Sequence, residues 1–153
     1  MPEPGVARAG VDVGVPAERL WDRAVDWPRQ GEWMPLTRVT STGQPGVGAQ
    51  VSAFSGIARL GFLDTMVVTD WLPPHRVDVE HTGRVVRGDA TLRVLRRGPQ
   101  RSRVMLEERL AVGPRSLGML WWPLARPLVE LGMTYALRRL ARQLEREDGS
   151  RRG

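Results

Sequence analysis

A chain of 153 residues, 41% hydrophobic and 26% charged, is sized for a single domain that buries its own core without staples. It has no cysteine, which excludes disulfides, thiolate nucleophiles and zinc–thiolate centres, and all 23 basic residues are arginine, which excludes a Schiff-base lysine. The net charge of +6 favours anionic partners by steering, but the arginines are dispersed and no aromatic–basic motif accompanies them, so no nucleic-acid partner is expected.

The opening Met1 to Gly5 has neither a charged n-region nor an apolar h-region, which makes the cytoplasm the expected compartment. Val11, Val13 and Val15 alternate with Asp12 and Gly14, the period of a short strand. Pro16 then suits the first turn of a helix whose face carries Leu20, Trp21, Ala24 and Val25, and Pro28 ends it. Arg29 to Pro35 leaves room for a short second helix bearing Trp33 and Met34.

Strands follow, separated by turn chemistry. They cover Leu36 to Thr42, Gly48 to Ser55, Leu60 to Trp71, Arg76 to Thr82, Val85 to Arg96 and Ser102 to Val112. Their hairpin-length connections imply antiparallel neighbours. The apolar stretch Leu117 to Leu137 has transmembrane length, but Pro123, Arg126, Pro127 and Glu130 argue against a spanning helix. It passes into an arginine-studded helix, Arg138 to Glu147, and the tail Asp148 to Gly153 is expected to fray.

The segment Val68 to Val77, with its Pro73-Pro74-His75 break, the strands Val85 to Leu95 and Arg103 to Leu110, and the closing Trp122-Pro123-Leu124-Ala125-Arg126-Pro127-Leu128 helix resemble the START-like superfamily of polyketide cyclases and lipid-transfer proteins. The resemblance spans about residues 11–145 of a single-domain chain. It implies an α+β helix-grip fold: two short helices after the first strand, then an antiparallel sheet of six to seven strands curved around a long C-terminal helix. It also implies a deep apolar cavity between sheet and helix. An apolar small molecule is the implied partner, no cofactor is implied, and the chemistry is left open between cyclisation or dehydration and simple carriage.

Period-two parity identifies the inward face of the later strands. Val77, Val79 and His81 share a face, as do Val86, Gly88, Ala90, Leu92 and Val94, and Val104, Leu106, Glu108, Leu110 and Val112. His81 and Glu108 are therefore polar residues on an otherwise apolar surface. Either they form a general acid/base pair or ligand hooks, or Glu108 is satisfied by amides or an arginine and His81 is a strand-end residue. With two histidines and no ligand spacing, no metal site is expected, and no nucleophile elbow or phosphate loop is present. The expected pocket lining is Trp33, His81, Leu92 and Glu108. Leu120, Trp121 and Leu124 join it on the strength of the resemblance and of a bend expected at the prolines.

The terminal helix carries two stripes. Val129, Met133, Leu137, Leu140 and Leu144 form the face expected against the sheet. Nearly opposite lie Leu124, Leu128, Leu131 and Tyr135, continued by Arg138, Arg139, Arg142 and Arg146. Three uses of this back face are open: a bend carrying the early helix into the cavity mouth, a homodimer contact, or peripheral membrane docking. A helix start near Pro123 or Pro127 is the simplest expectation.

Overall fold

A computed structural model describes residues 5–112 and 115–153, with side chains at 5–111 and 121–153. The elements are β1 (Gly5–Val13), α1 (Ala17–Ala24), a 3-10 helix (Trp27–Glu32), β2 (Thr37–Thr42), β3 (Gln50–Ile57), β4 (Leu60–Leu72), β5 (Arg76–His81), β6 (Val86–Gly98), β7 (Arg101–Val112) and α2 (Arg115–Arg152). The seven strands form one antiparallel sheet in the order β1-β7-β6-β5-β4-β3-β2. The first strand leaves the sequence neighbourhood of β2 and returns beside β7, so the chain's two ends meet at one sheet edge. This is the helix-grip architecture.

The core lies on the sheet face that receives α1, the 3-10 helix and α2. Val51, Val68, Val77, Val94 and Val104 from the strands meet Leu20, Trp33, Leu137 and Leu140, all almost fully buried. Of the stripe assigned to the sheet side of α2, Met133, Leu137, Leu140 and Leu144 are buried and Val129 is half-buried. At about 1.5–3 kcal/mol per buried side chain, this face supplies most of the attachment of α2. Ion pairs at its far end add to it, where Arg19 meets Asp148 and buried Arg23 meets Glu147.

Two details fix how the elements meet. The pairing of β4 with β5 slips between Val68 and Asp70, a bulge that turns Trp71 inward onto Trp21, with ring centroids 5.3 Å apart and planes at 64°. Along the open edge of β1, carboxylates of α2 accept strand N–H groups: Arg8 N donates to Glu130 at 3.1 Å and Gly14 N to Glu145 at 2.8 Å. The helix thereby covers an edge that would otherwise offer a template for pairing.

The structure corrects three boundaries. Strand β1 begins at Gly5 rather than Val11; Gly5, Ala7, Ala9 and Gly10 are small, so no apolar alternation marks its start, yet each pairs with β7. Helix α2 runs through Pro123 and Pro127 instead of starting at either, so each proline removes one N–H from the helical ladder. The segment from Asp148 is helical through Arg152, held by Arg19 and by an Arg152–Asp148 pair at 3.0 Å. Among the described residues, no helix is long and apolar enough to cross a membrane.

Candidate functional site

The inner face carries one polar cluster. On β5, His81 ends the inward row begun by Val77 and Val79, and it is 7% exposed. Its neighbour across the β4 ladder is Met66, and Asp64 follows two residues away on the same face. The His81 Nδ1 lies 2.9 Å from Asp64 Oδ1. A carboxylate can only accept, so Nδ1–H donates, the ring is fixed in orientation, and Nε2 is left free. That nitrogen is buried and has no hydrogen-bond partner among the described residues.

Glu108 sits on β7 opposite Ala90 of β6 and Ala7 of β1, both buried. Small neighbours on each side leave the carboxyl room above the sheet. Between His81 and Leu110 the row is occupied by Gly88. Its φ of +122° is a conformation that favours glycine, and a Cβ there would lie 1.8 Å from the Arg109 carbonyl oxygen. The residue that separates His81 from the β7 row therefore carries no side chain.

Electrostatics tie the three groups together. Burial pushes the Glu108 carboxyl above the usual carboxylate range; the charge of His81 pulls it down, and Asp64 pushes it up again. Burial alone would lower the His81 imidazole. The hydrogen bond and charge of Asp64, with smaller contributions from Glu108 and Asp89, outweigh burial and hold it above its ordinary value. The cluster thus keeps protons longer than its members would in water. A carboxyl held above its usual range and an imidazole oriented by a carboxylate are the parts of a general acid/base site.

The site residues named from sequence divide into groups. His81 and Glu108 are brought to one electrostatically coupled cluster. Leu92 lies one inward position beyond Ala90, opposite Val77 and Leu106, and belongs to the apolar core continuous with the cluster. Trp33 is buried in that same core, its indole N–H without a partner among the described residues. Trp121 and Leu124 are 64% and 72% exposed, because their side of α2 turns away from the packed stripe; the continuous helix makes no proline-started turn into the sheet. The side chain of Leu120 lies outside the described residues.

Asp64 is the member the sequence reading missed. Parity from Val68 and Met66 would have placed it inward, but β4 has apolar residues on both parities and a bulge at its end. Two open depressions, of about 310 and 550 Å³, occupy the charged outer side and the end of β5 and β6. The smaller is a trough between ion pairs such as Arg8–Glu107 and Arg76–Asp78. The larger reaches His81 and Gly88 from beside Glu80, Arg87 and Asp89.

Residues 6–145 match the family model described as polyketide cyclase / dehydrase and lipid transport. Solved structures with the same fold include the Zhui aromatase/cyclase from a Streptomyces species, at 16% identity and a TM-score of 0.74, covering 92% of this chain and 93% of that one. A START superfamily protein from Mycobacterium smegmatis matches at 15% identity and a TM-score of 0.74, covering 91% and 98%. A protein from Thermus thermophilus matches at 16% identity and a TM-score of 0.78, covering 93% and 98%. Comparison with curated proteins finds no match.

Proposed function

The chain belongs to the polyketide cyclase/dehydrase and lipid-transport family, and from that premise we propose that it takes an apolar small molecule (aromatic, polyketide-like or lipid) onto the inner face of its sheet. The observation that carries this reading is the buried Nε2 of His81, unpartnered on an apolar surface beside the raised carboxyl of Glu108. Buried polar atoms are ordinarily paired. A hydroxyl or carbonyl of a bound ligand would complete the pairing, while Leu92, Ala90 and Met66 would meet its apolar part.

If the bound molecule reacts, the chemistry the cluster suits is proton transfer. In a dehydration, the unprotonated form of His81 Nε2 takes the proton from a carbon next to a carbonyl. The Glu108 carboxyl gives its proton to the β-hydroxyl, which leaves as water, and a carbon–carbon double bond forms. Asp64 stabilises the imidazolium produced. In an aldol-type cyclisation the same two groups remove the carbon proton and protonate the accepting carbonyl oxygen, with the fold of the bound chain supplying proximity. A carrier would use the same hooks without the transfer.

The test is native mass spectrometry of protein purified from its natural host. The expected result is a co-purifying apolar molecule in wild type and reduced occupancy in a folded His81→Phe variant. Only the bare protein mass in freshly purified wild type, or equal occupancy in the variant, would contradict the reading.

A further inference from the structure

The end of the sheet nearest His81 and Glu108 carries a second pattern that the acid/base cluster does not use. Three segments converge there. The β3–β4 hairpin projects past the end of β5, where Thr82 N donates to Thr65 O at 2.7 Å. The β5–β6 connection lies beside the end of β7 through the Val86–Val112 pair. Early α2 reaches the same end, where the Trp122 ring fills the space a Cβ on Gly5 would need.

These segments expose large apolar side chains: Ile57, Leu60 and Leu63 on the hairpin, Val85 on the connection, and Trp121 and Leu124 on the helix. Leu60 is 83% exposed. Across residues 51–63, 82–88 and 121–129 there is no aspartate or glutamate, but there are four arginines, Arg59, Arg84, Arg87 and Arg126. Arg59, Arg84 and Arg87 are exposed and form no ion pair among the described residues. Exposed apolar side chains interleaved with unpaired cations, at one pole, form a surface with no solvent-side rationale.

We propose that this pole docks on an anionic bilayer surface, the hairpin tip and early α2 entering the interface while the arginines meet lipid phosphates. Charge complementarity selects the occupant. A second copy meeting this face across a two-fold axis would set Arg59, Arg84 and Arg87 against their own copies, with Glu80 and Asp89 at the rim, the latter already facing Arg109, as the neighbouring carboxylates. A purely polyanionic partner would leave the apolar side chains in water. A bilayer with anionic headgroups satisfies both sets at once. The arrangement turns the end of the sheet nearest Asp64, His81 and Glu108 toward the membrane, but docking itself does not require that cluster to bind anything.

The experiment is co-sedimentation with vesicles of phosphatidylcholine alone, or with about 30% phosphatidylglycerol, at low and high salt. Wild type should bind the anionic vesicles at least about tenfold more strongly than the neutral ones, and added salt should weaken the interaction. Leu60→Asp and Leu124→Asp should each lose about tenfold or more, as should the Arg59→Glu/Arg84→Glu double variant. Val47→Asp, also exposed but in the β2–β3 connection at the other end, should bind like wild type. Circular dichroism melts confirm that each variant is folded, and the arginine double variant tests the claim if either leucine variant is not. Four outcomes would overturn the proposal: no vesicle binding, equal binding to neutral and anionic vesicles, wild-type binding by all the folded pole variants, or a concentration-dependent dimer that Leu124→Asp dissolves.

Discussion

At Glu108 the competition is between desolvation and the neighbouring imidazolium, and desolvation wins. The folded state therefore holds that proton above the unfolded value of about 4.3, so its ionisation opposes folding as pH rises through and beyond that value. His81 acts in the same direction: its raised value stabilises the fold below about 6.5, and the contribution is lost as pH climbs through the folded value. Opposing both, Glu107 beside Arg8 and Glu130 on the Arg8 amide are held low, and what they contribute is lost in acid. Melting temperature should thus peak at mildly acidic pH and decline toward pH 8, and Glu108→Gln should flatten the decline by a few degrees. A carboxyl-resolved NMR titration checks the origin. It should give Glu108 a value above the usual carboxylate range; a depressed value with strong destabilisation in Glu108→Gln would make the residue structural and remove the acid from the proposed chemistry.

At the scale of elements, helix α2 is indispensable because its buried stripe is the roof of the core. Met133 lies between the edge-capping carboxylate Glu130 and the fully buried Leu137, so Met133→Asp places an unpaired charge where four apolar side chains hold the helix to the sheet. A loss of several kcal/mol is expected, enough to unfold much of a domain with ordinary stability. A cooperative urea melt near wild type would contradict the packing. This stripe was legible in the sequence because five residues recur at helical spacing. The start of the helix was not. Pro123 and Pro127 read as first-turn residues, yet here the helix begins before them and spends two ladder hydrogen bonds to continue. Strand β1 was half legible for a similar reason: Gly5 and Ala7 carry no alternation, and small size at those positions serves the approach of Trp122 and the space beside Glu108.

For the whole molecule, parity along regular strands predicted the inward turn of His81 and Glu108, and it failed where regularity fails. Asp64 sits on a strand with apolar residues on both faces, and the bulge at Thr69 resets the period before Trp71, so one-dimensional alternation could not orient it. The early helix was expected to begin at the prolines, but α2 runs through them, and Trp121 and Leu124 lie exposed on it. The central claim, that the inner face beside Glu108 accommodates an apolar molecule, is tested most directly by titrating an environment-sensitive apolar dye such as Nile red into wild type and Ala90→Leu. Ala90 lies opposite Glu108 and Val79, so a leucine there occupies the proposed space without adding charge. Saturable blue-shifted emission is expected with wild type, and affinity at least about tenfold weaker in an Ala90→Leu protein that still melts cooperatively, since filling a pocket removes apolar contact worth over about 1 kcal/mol. Equal affinity in the two folded proteins, or no saturable binding to wild type, would contradict it.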